Sequence, residues 1–329
     1  MLPLMRHPGG WAINTQISFS WVYRHVIGVL IACTLNFQTT LAQSAISGTE
    51  VNQTPLLVPG KLSTFRLDVD GVTREALVYV PEGISNASDR LEPDAPVLLA
   101  FHGYGSRAES FARWVDFKPL ADREGFVLIY PQGLPIDGAA ESFHWNPLPT
   151  AKGNKSNSDD LGFIDALLDA LDAPLKLDPG RTFAMGYSNG GMFAYALACF
   201  RSARFAAVGI HAGTILEATA ETCEPSERTS IAVFHGTADP VVRISGSSGR
   251  FSLDQIIDHW TQLQGLVEQP FDGTLEGRVA TRIFNPADAG QGGMVVHKVW
   301  GGGHVWQQFE IDSQNADDWL WSFFWRNGH

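Results

Sequence analysis

The sequence predicts an α/β protein with a mostly parallel central sheet and helices on both faces. Short, almost continuously apolar runs of strand character recur along the chain, and longer helix-like segments separate them. Strands that are apolar along their whole length are typical of a sheet buried on both faces. Their alternation with helices favours parallel strands joined by helical crossovers.

The predicted elements follow in order along the chain. Strands 65–70 and 75–81 interleave polar and apolar residues around the turn Asp70-Gly71, so we expect an antiparallel pair. The later strands, of which the first five are apolar almost throughout, are 96–101, 125–130, 182–185, 205–210, 231–234 and 294–299. The predicted helices are 110–123, 160–176, 191–200, 252–266 and 316–325.

Composition limits the class of protein. A length of 329 residues suits one large domain or two small ones, and 44% hydrophobic residues exclude a disordered or fibrous chain. The net charge of −12, without a cluster of Lys and Arg, repels phosphate backbones. We therefore expect no nucleic-acid partner, and we expect a monomer.

The amino terminus is predicted to be a leader. Residues 1–42 contain Arg6 and Arg24 but no acidic residue, and the mostly apolar run 26–37 is too short to span a bilayer comfortably. Small residues before position 43 are typical of signal-peptidase cleavage. We interpret 1–42 as a secretory signal, 43–60 as a short extension and 61–329 as one catalytic domain. The protein is then secreted or periplasmic, without stable membrane insertion. The alternatives are a lipoprotein acylated at Cys33 and a retained anchor helix.

Removal of the leader leaves two cysteines, Cys199 and Cys223. In an exported protein an isolated pair favours one disulfide, and two buried free thiols are the alternative. Neither has a second Cys or a His at metal-ligand spacing, so no metal site is indicated.

One long stretch, 133–158, is predicted to be irregular. It contains Phe143 and Trp145 and then a piece rich in Lys, Asn and Ser. A loop of this length in a compact domain is usually a lid or a substrate-binding excursion.

The pentapeptide GYSNG at 186–190 matches the G-x-S-x-G pattern of a nucleophile elbow. It directly follows the predicted strand 182–185 and opens the predicted helix 191–200. A serine on such a turn projects its hydroxyl above the carboxyl edge of the sheet, where a helix N-terminus favours developing negative charge. Ser188 is therefore the candidate nucleophile. The alternative is a serine that only caps the helix.

A serine hydroxyl needs an adjacent base, which is itself oriented by an acid. Asp239 follows a buried strand in the run HGTADP, and His304 follows a later strand in the run GGGH. Both are expected at the sheet edge that carries Ser188, so we predict a triad of these three residues. The alternatives are an ordinary loop histidine at 304 and a structural turn residue at 239, with the acid then supplied by Asp254 or Asp258.

An oxyanion needs two backbone amide donors. Asn189, immediately after the serine, offers one. The run HGYGS at 102–106 has glycines that let the backbone turn its amides inward, and Tyr104 N–H is the predicted second donor. The alternative is a glycine turn without a ligand role. We interpret His102 and His235, each before a glycine at a strand end, as supports for their loops.

Five motifs lie along the chain between residues 101 and 306, in the order FHGYGS, DDLGFI, GYSNGGMFAYALAC, FHGTADPVV and GGGHVW. In this order they resemble the secreted esterase family of the α/β-hydrolase fold that includes polyhydroxybutyrate depolymerases and the related feruloyl and acetylxylan esterases. The resemblance that they carry extends over about 60–329. The resemblance implies catalytic Ser188, Asp239 and His304, a Cys199–Cys223 bridge and no cofactor. The implied substrate is a hydroxyalkanoate ester or a feruloyl or acetyl ester of plant cell walls, cleaved through an acyl-enzyme.

Aromatic residues are predicted near this site. Phe143, Trp145 and Trp306 are expected to form a wall around the substrate, and aromatic residues that pack on the protein surface are the alternative. Two other functions are possible, a serine peptidase of the same fold and a secreted binding protein without activity. The intact order Ser, Asp, His favours an enzyme.

Overall fold

The computed structural model describes residues 57–84, 94–148, 154–271, 278–288, 290–311 and 313–328. The predicted signal 1–42, Cys33 and most of the extension 43–60 lie outside these ranges. Within the ranges, none of the helices has the length and apolar character needed to cross a membrane.

The strands of the main sheet are β1 Leu62–Val69, β2 Val72–Tyr79, β3 Ala95–Phe101, β4 Val127–Pro131, β7 Leu177–Tyr187, β8 Ala207–His211, β9 Ser230–Gly236, β10 Leu266–Gln269, β11 Val279–Pro286 and β12 Met294–Val299. Two hairpins lie outside it, formed by β5 Leu134–Ile136 with β6 Ala139–His144 and by β13 Glu310–Ile311 with β14 Gln314–Asn315. The helices are α1 Ala108–Trp114, α2 Lys118–Glu124, α3 Asp160–Leu175, α4 Asn189–Phe200, α5 Glu217–Glu221, α6 Leu253–Gln264 and α7 Ala316–Arg326. Glu82–Ile84 forms a 3₁₀ turn.

The ten strands lie in the order β1-β2-β4-β3-β7-β8-β9-β12-β11-β10. The six central strands, from β4 to β12, run parallel, and antiparallel strands extend the sheet at both edges. One core cluster joins the sheet to α3, α4 and α6, and the other joins the opposite face to α1, α2 and α7. The predicted fold class is therefore confirmed.

Local sequence explains where several elements begin and end. Asp70 and Gly71 both have positive φ, 53° and 78°, as the central residues of a tight hairpin turn require. The side chain of Ser252 accepts a hydrogen bond from Gln255 N–H, and the Gln255 side chain accepts one from Ser252 N–H, so a reciprocal cap starts α6.

Three local predictions are wrong. The expected helix 110–123 is two helices, because the chain turns at 115–117 and Pro119 lies in the first turn of α2. The expected helix 252–266 ends at Gln264, and Leu266 is the first residue of β10. Neither β10 nor β11 was predicted from the sequence. Residues 133–158 are not wholly irregular, because they contain the β5–β6 hairpin.

Cys199 and Cys223 form a disulfide, which confirms this reading over two free thiols. The bond joins the last turn of α4 to the segment after α5.

Candidate active site

Ser188 lies on the turn between β7 and α4, with φ 55° and ψ −115°. A non-glycine residue rarely adopts this conformation, so the turn is strained. Two glycines make it possible: a Cβ at Gly186 would lie 2.1 Å from the Gly190 carbonyl oxygen, and one at Gly190 would lie 2.2 Å from the Phe101 carbonyl oxygen. Ser188 N–H donates to the His211 carbonyl at 2.9 Å and holds the turn on β8.

The three side chains of the predicted triad meet at the carboxyl edge of the sheet. His304 Nε2 lies 2.9 Å from Ser188 Oγ, and His304 Nδ1 lies 2.7 Å from Asp239 Oδ2. They converge because β7, β8, β9 and β12 are neighbours, and the serine, aspartate and histidine follow the first, third and fourth of these strands.

Asp239 is held by its own loop. Its Oδ1 accepts from the N–H groups of Val241 and Val242, both at 2.8 Å, while Oδ2 faces the imidazole. A carboxylate in this position favours the tautomer with a proton on Nδ1, which leaves Nε2 of His304 to accept from the serine hydroxyl. The alternative acids, Asp254 and Asp258, lie on α6.

Contacts from two directions fix the histidine loop. The Tyr187 hydroxyl donates to the His304 carbonyl at 2.7 Å. On the other side Gly302 packs against Gly236 at the end of β9. A Cβ atom at Gly236 would lie 2.2 Å from the Gly302 carbonyl oxygen. The position of the imidazole is therefore set by its backbone as well as by Asp239.

His102 and His235 support loops, as predicted. His102 Nδ1–H donates to the Gly103 carbonyl at 2.9 Å, and Nε2 accepts from Gly133 N–H at 3.1 Å. Burial lowers the pKa of His102 to about 4, so the ring is neutral near pH 7. His235 Nε2–H donates to the Val242 carbonyl at 2.8 Å, and burial lowers its pKa as well.

A cleft of about 690 Å³ opens beside Ser188. Both predicted oxyanion donors, Asn189 and Tyr104, line it, and residues 144–148, from the last residue of β6 onward, form part of its wall. Charged side chains reach it from several elements, namely Lys155, Glu217, Glu221 and Arg250. The 133–158 segment thus borders the cleft.

Of the three residues predicted to form an aromatic wall, Trp145 borders the cleft beside Ser188, whereas Phe143 and Trp306 are not among the residues that line it. Trp306 is buried at 7% exposure, stacks 3.5 Å from His211 and donates from Nε1 to Asp317, so it packs in the core. Phe143 is also buried and lies under the Arg107 guanidinium. Trp145 borders the cleft but is 1% exposed. Burying these large aromatic rings is more favourable than exposing them to water, which explains why they are buried.

Two contributions to the site were not predicted from the sequence. One is the Tyr187 hydroxyl, whose partner lies 117 positions along the chain. The other is the Asn189 side chain, which pairs with the backbone of Trp145. Both residues are inside the GYSNG motif, but no local signal indicates what their side chains contact.

A mostly parallel sheet with a serine on a strained strand-to-helix turn, facing a histidine and an acid from neighbouring loops, defines an α/β-hydrolase. The model of the family described as Esterase PHB depolymerase matches residues 76–250, over half of the chain, and the chain belongs to this esterase family.

Individual relatives agree with this assignment. Feruloyl esterase C of Emericella nidulans is 30% identical over 80% of this chain and 89% of its own length. The esterase NocK of Nocardia uniformis subsp. tsuyamanensis is 31% identical over 55% of this chain, which spans about half, 49%, of that relative. The structure of an acetyl xylan esterase from Aspergillus awamori superimposes with a TM-score of 0.57 at 14% identity, covering 80% of this chain and 98% of its own; at this identity it supports the fold alone.

Proposed function

We propose that the protein is an exported serine esterase that hydrolyses carboxylic esters through an acyl-enzyme on Ser188. The observation that carries the proposal is the hydrogen-bonded series Asp239–His304–Ser188, with contacts of 2.7 and 2.9 Å. Nucleophilic acyl transfer requires a serine hydroxyl in contact with a base, and that base must be in contact with an acid.

The first half-reaction acylates the enzyme. His304 Nε2 takes the Ser188 proton while Oγ attacks the ester carbonyl carbon, and the backbone amides of Asn189 and Tyr104 stabilise the oxyanion. As the tetrahedral intermediate collapses, His304 gives this proton to the departing alcohol oxygen. Asp239 keeps the imidazole oriented and stabilises its cation.

In the second half-reaction water replaces the alcohol. His304 accepts a proton from the water as its oxygen attacks the acyl carbon, and then returns that proton to Ser188 Oγ when the acyl–oxygen bond breaks. The carboxylic acid leaves and the free enzyme is restored. The chain's own side chains supply every proton transfer in this sequence.

For the substrate we propose feruloyl or acetyl esters of plant cell-wall polysaccharide. The match to feruloyl esterase C extends over 80% of the chain, and a cleft of about 690 Å³ is large enough for an aromatic acyl group. The family model favours a second candidate, a soluble hydroxyalkanoate oligomer.

The decisive experiment compares Ser188→Ala with Ser202→Ala on p-nitrophenyl butyrate. Both serines are buried, but Ser202 hydrogen-bonds Glu227 N–H outside the cleft. We expect Ser188→Ala to lose several powers of ten in kcat and Ser202→Ala to retain wild-type kcat. Activity that survives Ser188→Ala would contradict the proposed nucleophile.

A substrate panel then separates the candidates. We expect kcat/KM to be highest for methyl ferulate or acetylated xylan, while preference for a hydroxybutyrate oligomer would favour the second candidate. Preferential cleavage of a peptide anilide would contradict both.

Export is part of the proposal, and two features support it: the apolar leader of the sequence and the Cys199–Cys223 disulfide, since disulfides persist in oxidising compartments. Amino-terminal sequencing of protein recovered outside the cytoplasm should begin at residue 43. Recovery only in the cytoplasm with residue 1 or 5 at its start would contradict export.

A further inference from the structure

Trp145 is hydrogen-bonded to both segments that carry the proposed oxyanion donors, through the side chain of Asn189 in one and the backbone of His102 in the other. Its N–H donates to Asn189 Oδ1 at 2.8 Å, and its carbonyl accepts from Asn189 Nδ2 at 3.1 Å. Its indole Nε1–H donates to the His102 carbonyl at 3.1 Å. One residue is therefore hydrogen-bonded to the nucleophile turn and to the loop that contains Tyr104.

Packing leaves the indole of Trp145 in one position. It is 1% exposed, it stacks on Phe193 with ring centroids 5.2 Å apart, and it makes a T-shaped contact with Phe101 at a centroid distance of 5.1 Å. Phe193 belongs to α4 and Phe101 to β3, the elements that flank the two oxyanion segments. The polar and apolar contacts of the ring thus connect the same pair of elements.

The segment that carries Trp145 is itself anchored farther along the chain. Asn146 N–H donates to Asp160 Oδ2 at 2.7 Å, and Asp160 Oδ1 forms a buried ion pair with Arg74 at 2.7 Å. His144 Nε2 lies 2.7 Å from Asn146 Oδ1. The residues directly before and after Trp145 are therefore both held in place by hydrogen bonds.

The separation of two oxyanion donors matters because each must lie about 2.7–3.1 Å from one developing charge. A displacement of about 1 Å in a catalytic site is enough to cost about 100-fold in rate. A buried residue bonded to both segments is placed to set that separation.

We propose that Trp145 is a positioning residue for the oxyanion site and not a wall for the substrate. It acts through the His102–Tyr104 loop and through the Asn189 side chain, without touching the reacting atoms. The inference rests on the proposed function, because it presupposes that the amides of Asn189 and Tyr104 stabilise an oxyanion.

The test uses Trp145→Phe with Trp260→Phe as its matched control. Trp260 is also fully buried, and its indole N–H has no hydrogen-bond partner among the described residues. Both changes remove the same volume, but Trp145→Phe also removes a hydrogen bond to the oxyanion loop. On p-nitrophenyl butyrate we expect Trp145→Phe to lower kcat about tenfold with KM within about twofold, whereas Trp260→Phe keeps both constants.

A second readout isolates the oxyanion. A trifluoromethyl ketone adds to the serine hydroxyl as a tetrahedral adduct whose oxygen occupies the oxyanion site. We expect its inhibition constant to rise in Trp145→Phe by the same factor by which kcat/KM falls, because both depend on the same two amides. Lower thermal stability without this shift would indicate a structural role only and would overturn the proposal.

Asn189→Ala provides a second variant that leaves the core intact. It removes the side-chain pairing with Trp145 and keeps the backbone amide at 189, so we expect the same direction of change in kcat and in the inhibition constant. If Trp145→Phe does not fold, this variant decides. Wild-type kcat in both variants, or an effect on KM alone, would overturn the proposal. Full activity in Ser188→Ala would instead overturn the proposed function.

Discussion

Tyr187 shows how a single hydroxyl can serve the site without taking part in the chemistry. Its ring packs against Trp114 at 4.9 Å, and its O–H donates to the His304 carbonyl. Burial and the nearby Asp239 raise the pKa of Tyr187 to about 12, so the hydroxyl remains a donor at any working pH. The hydrogen bond to the His304 carbonyl therefore persists at every pH at which the proposed base would work.

We predict that Tyr187→Phe lowers kcat several-fold by releasing the histidine loop, with a loss of stability of about 1 kcal/mol. The matched control is Tyr79→Phe. The Tyr79 hydroxyl donates to Asp122 Oδ1 at a distance of 2.6 Å, and this hydrogen bond lies outside the cleft. Steady-state kinetics with urea denaturation on both variants provides the measurement. Equal kcat in the two variants would contradict a positioning role for Tyr187.

For single residues, the sequence predicted positions correctly where a candidate catalytic side chain follows a buried strand. Ser188, Asp239 and His304 each come soon after a buried strand, and parallel neighbours bring such ends together. Trp306 was misplaced because an aromatic residue near a candidate histidine gives no sign of which way its ring turns. Its burial depends on His211, which lies far away in the sequence.

Among the elements, β2 and α3 are joined by a buried ion pair. Arg74 and Asp160 are 3% and 0% exposed, and the guanidinium also lies 3.9 Å from the Phe163 ring centroid. Burial lowers the pKa of Arg74, while Asp160 acts against that shift. Removal of the cation would leave a buried carboxylate without its partner, which is far more costly than losing an exposed pair.

We therefore predict that Arg74→Met destabilises the protein by about 3–5 kcal/mol. Arg66→Met on the neighbouring strand β1 should cost under about 1 kcal/mol, because Arg66 and Glu75 are 59% and 45% exposed. Urea denaturation of both variants measures the difference. Similar losses would show that the buried pair contributes no more than the exposed one.

A second prediction for the elements concerns the disulfide between α4 and the segment after α5. It closes a loop of 24 residues, for which the entropy model predicts about 3–4 kcal/mol. The double variant Cys199→Ala/Cys223→Ala should lose about this much, and addition of a reductant should lower the stability of the wild type but not of the variant. A wild type that is insensitive to reductant under conditions that reduce the bond would contradict the prediction.

Sequence pattern predicted the elements best where burial is complete. The strands β3 and β9 are buried along their length, and apolar runs marked both. It failed for β10 and β11, whose residues are mostly partly exposed and whose pairing depends on a partner strand. The division between α1 and α2 was also missed, because the apolar pattern continues through it, although Pro119 in the first turn of α2 is a sequence signal for a helix start.

In the whole molecule, several histidines are fully buried and stay neutral near pH 7, among them His102, His211 and His297. His211 lies between Phe234 and Trp306, and both of its ring nitrogens lack a partner among the described residues. Burial first, and His297 second, lower the pKa of His211 well below its usual range. Burial also lowers the pKa of His297 to about 3 and the pKa of His102 to about 4.

These shifts predict that the fold loses stability in mild acid. Below about pH 6.5 the histidines of the unfolded chain bind protons that the folded state does not accept, so the free energy of unfolding falls with pH until the folded pKa is reached. The slope is about 1.4 kcal/mol per pH unit for each histidine. For His102 the loss extends from about pH 6.5 to about 4, and for His297 to about 3.

Urea denaturation at pH 8, 7, 6 and 5 measures this effect, with His297→Gln as the comparison. The variant removes one histidine that must stay neutral, while its amide can still bond Thr281, the present partner of His297 at 2.8 Å. We expect the wild type to lose stability steeply between pH 6 and 5 and the variant to lose about 1 kcal/mol less over that interval. Parallel curves for the two proteins would contradict a burial cost at this position, and a flat wild-type curve would contradict it for the buried histidines as a group.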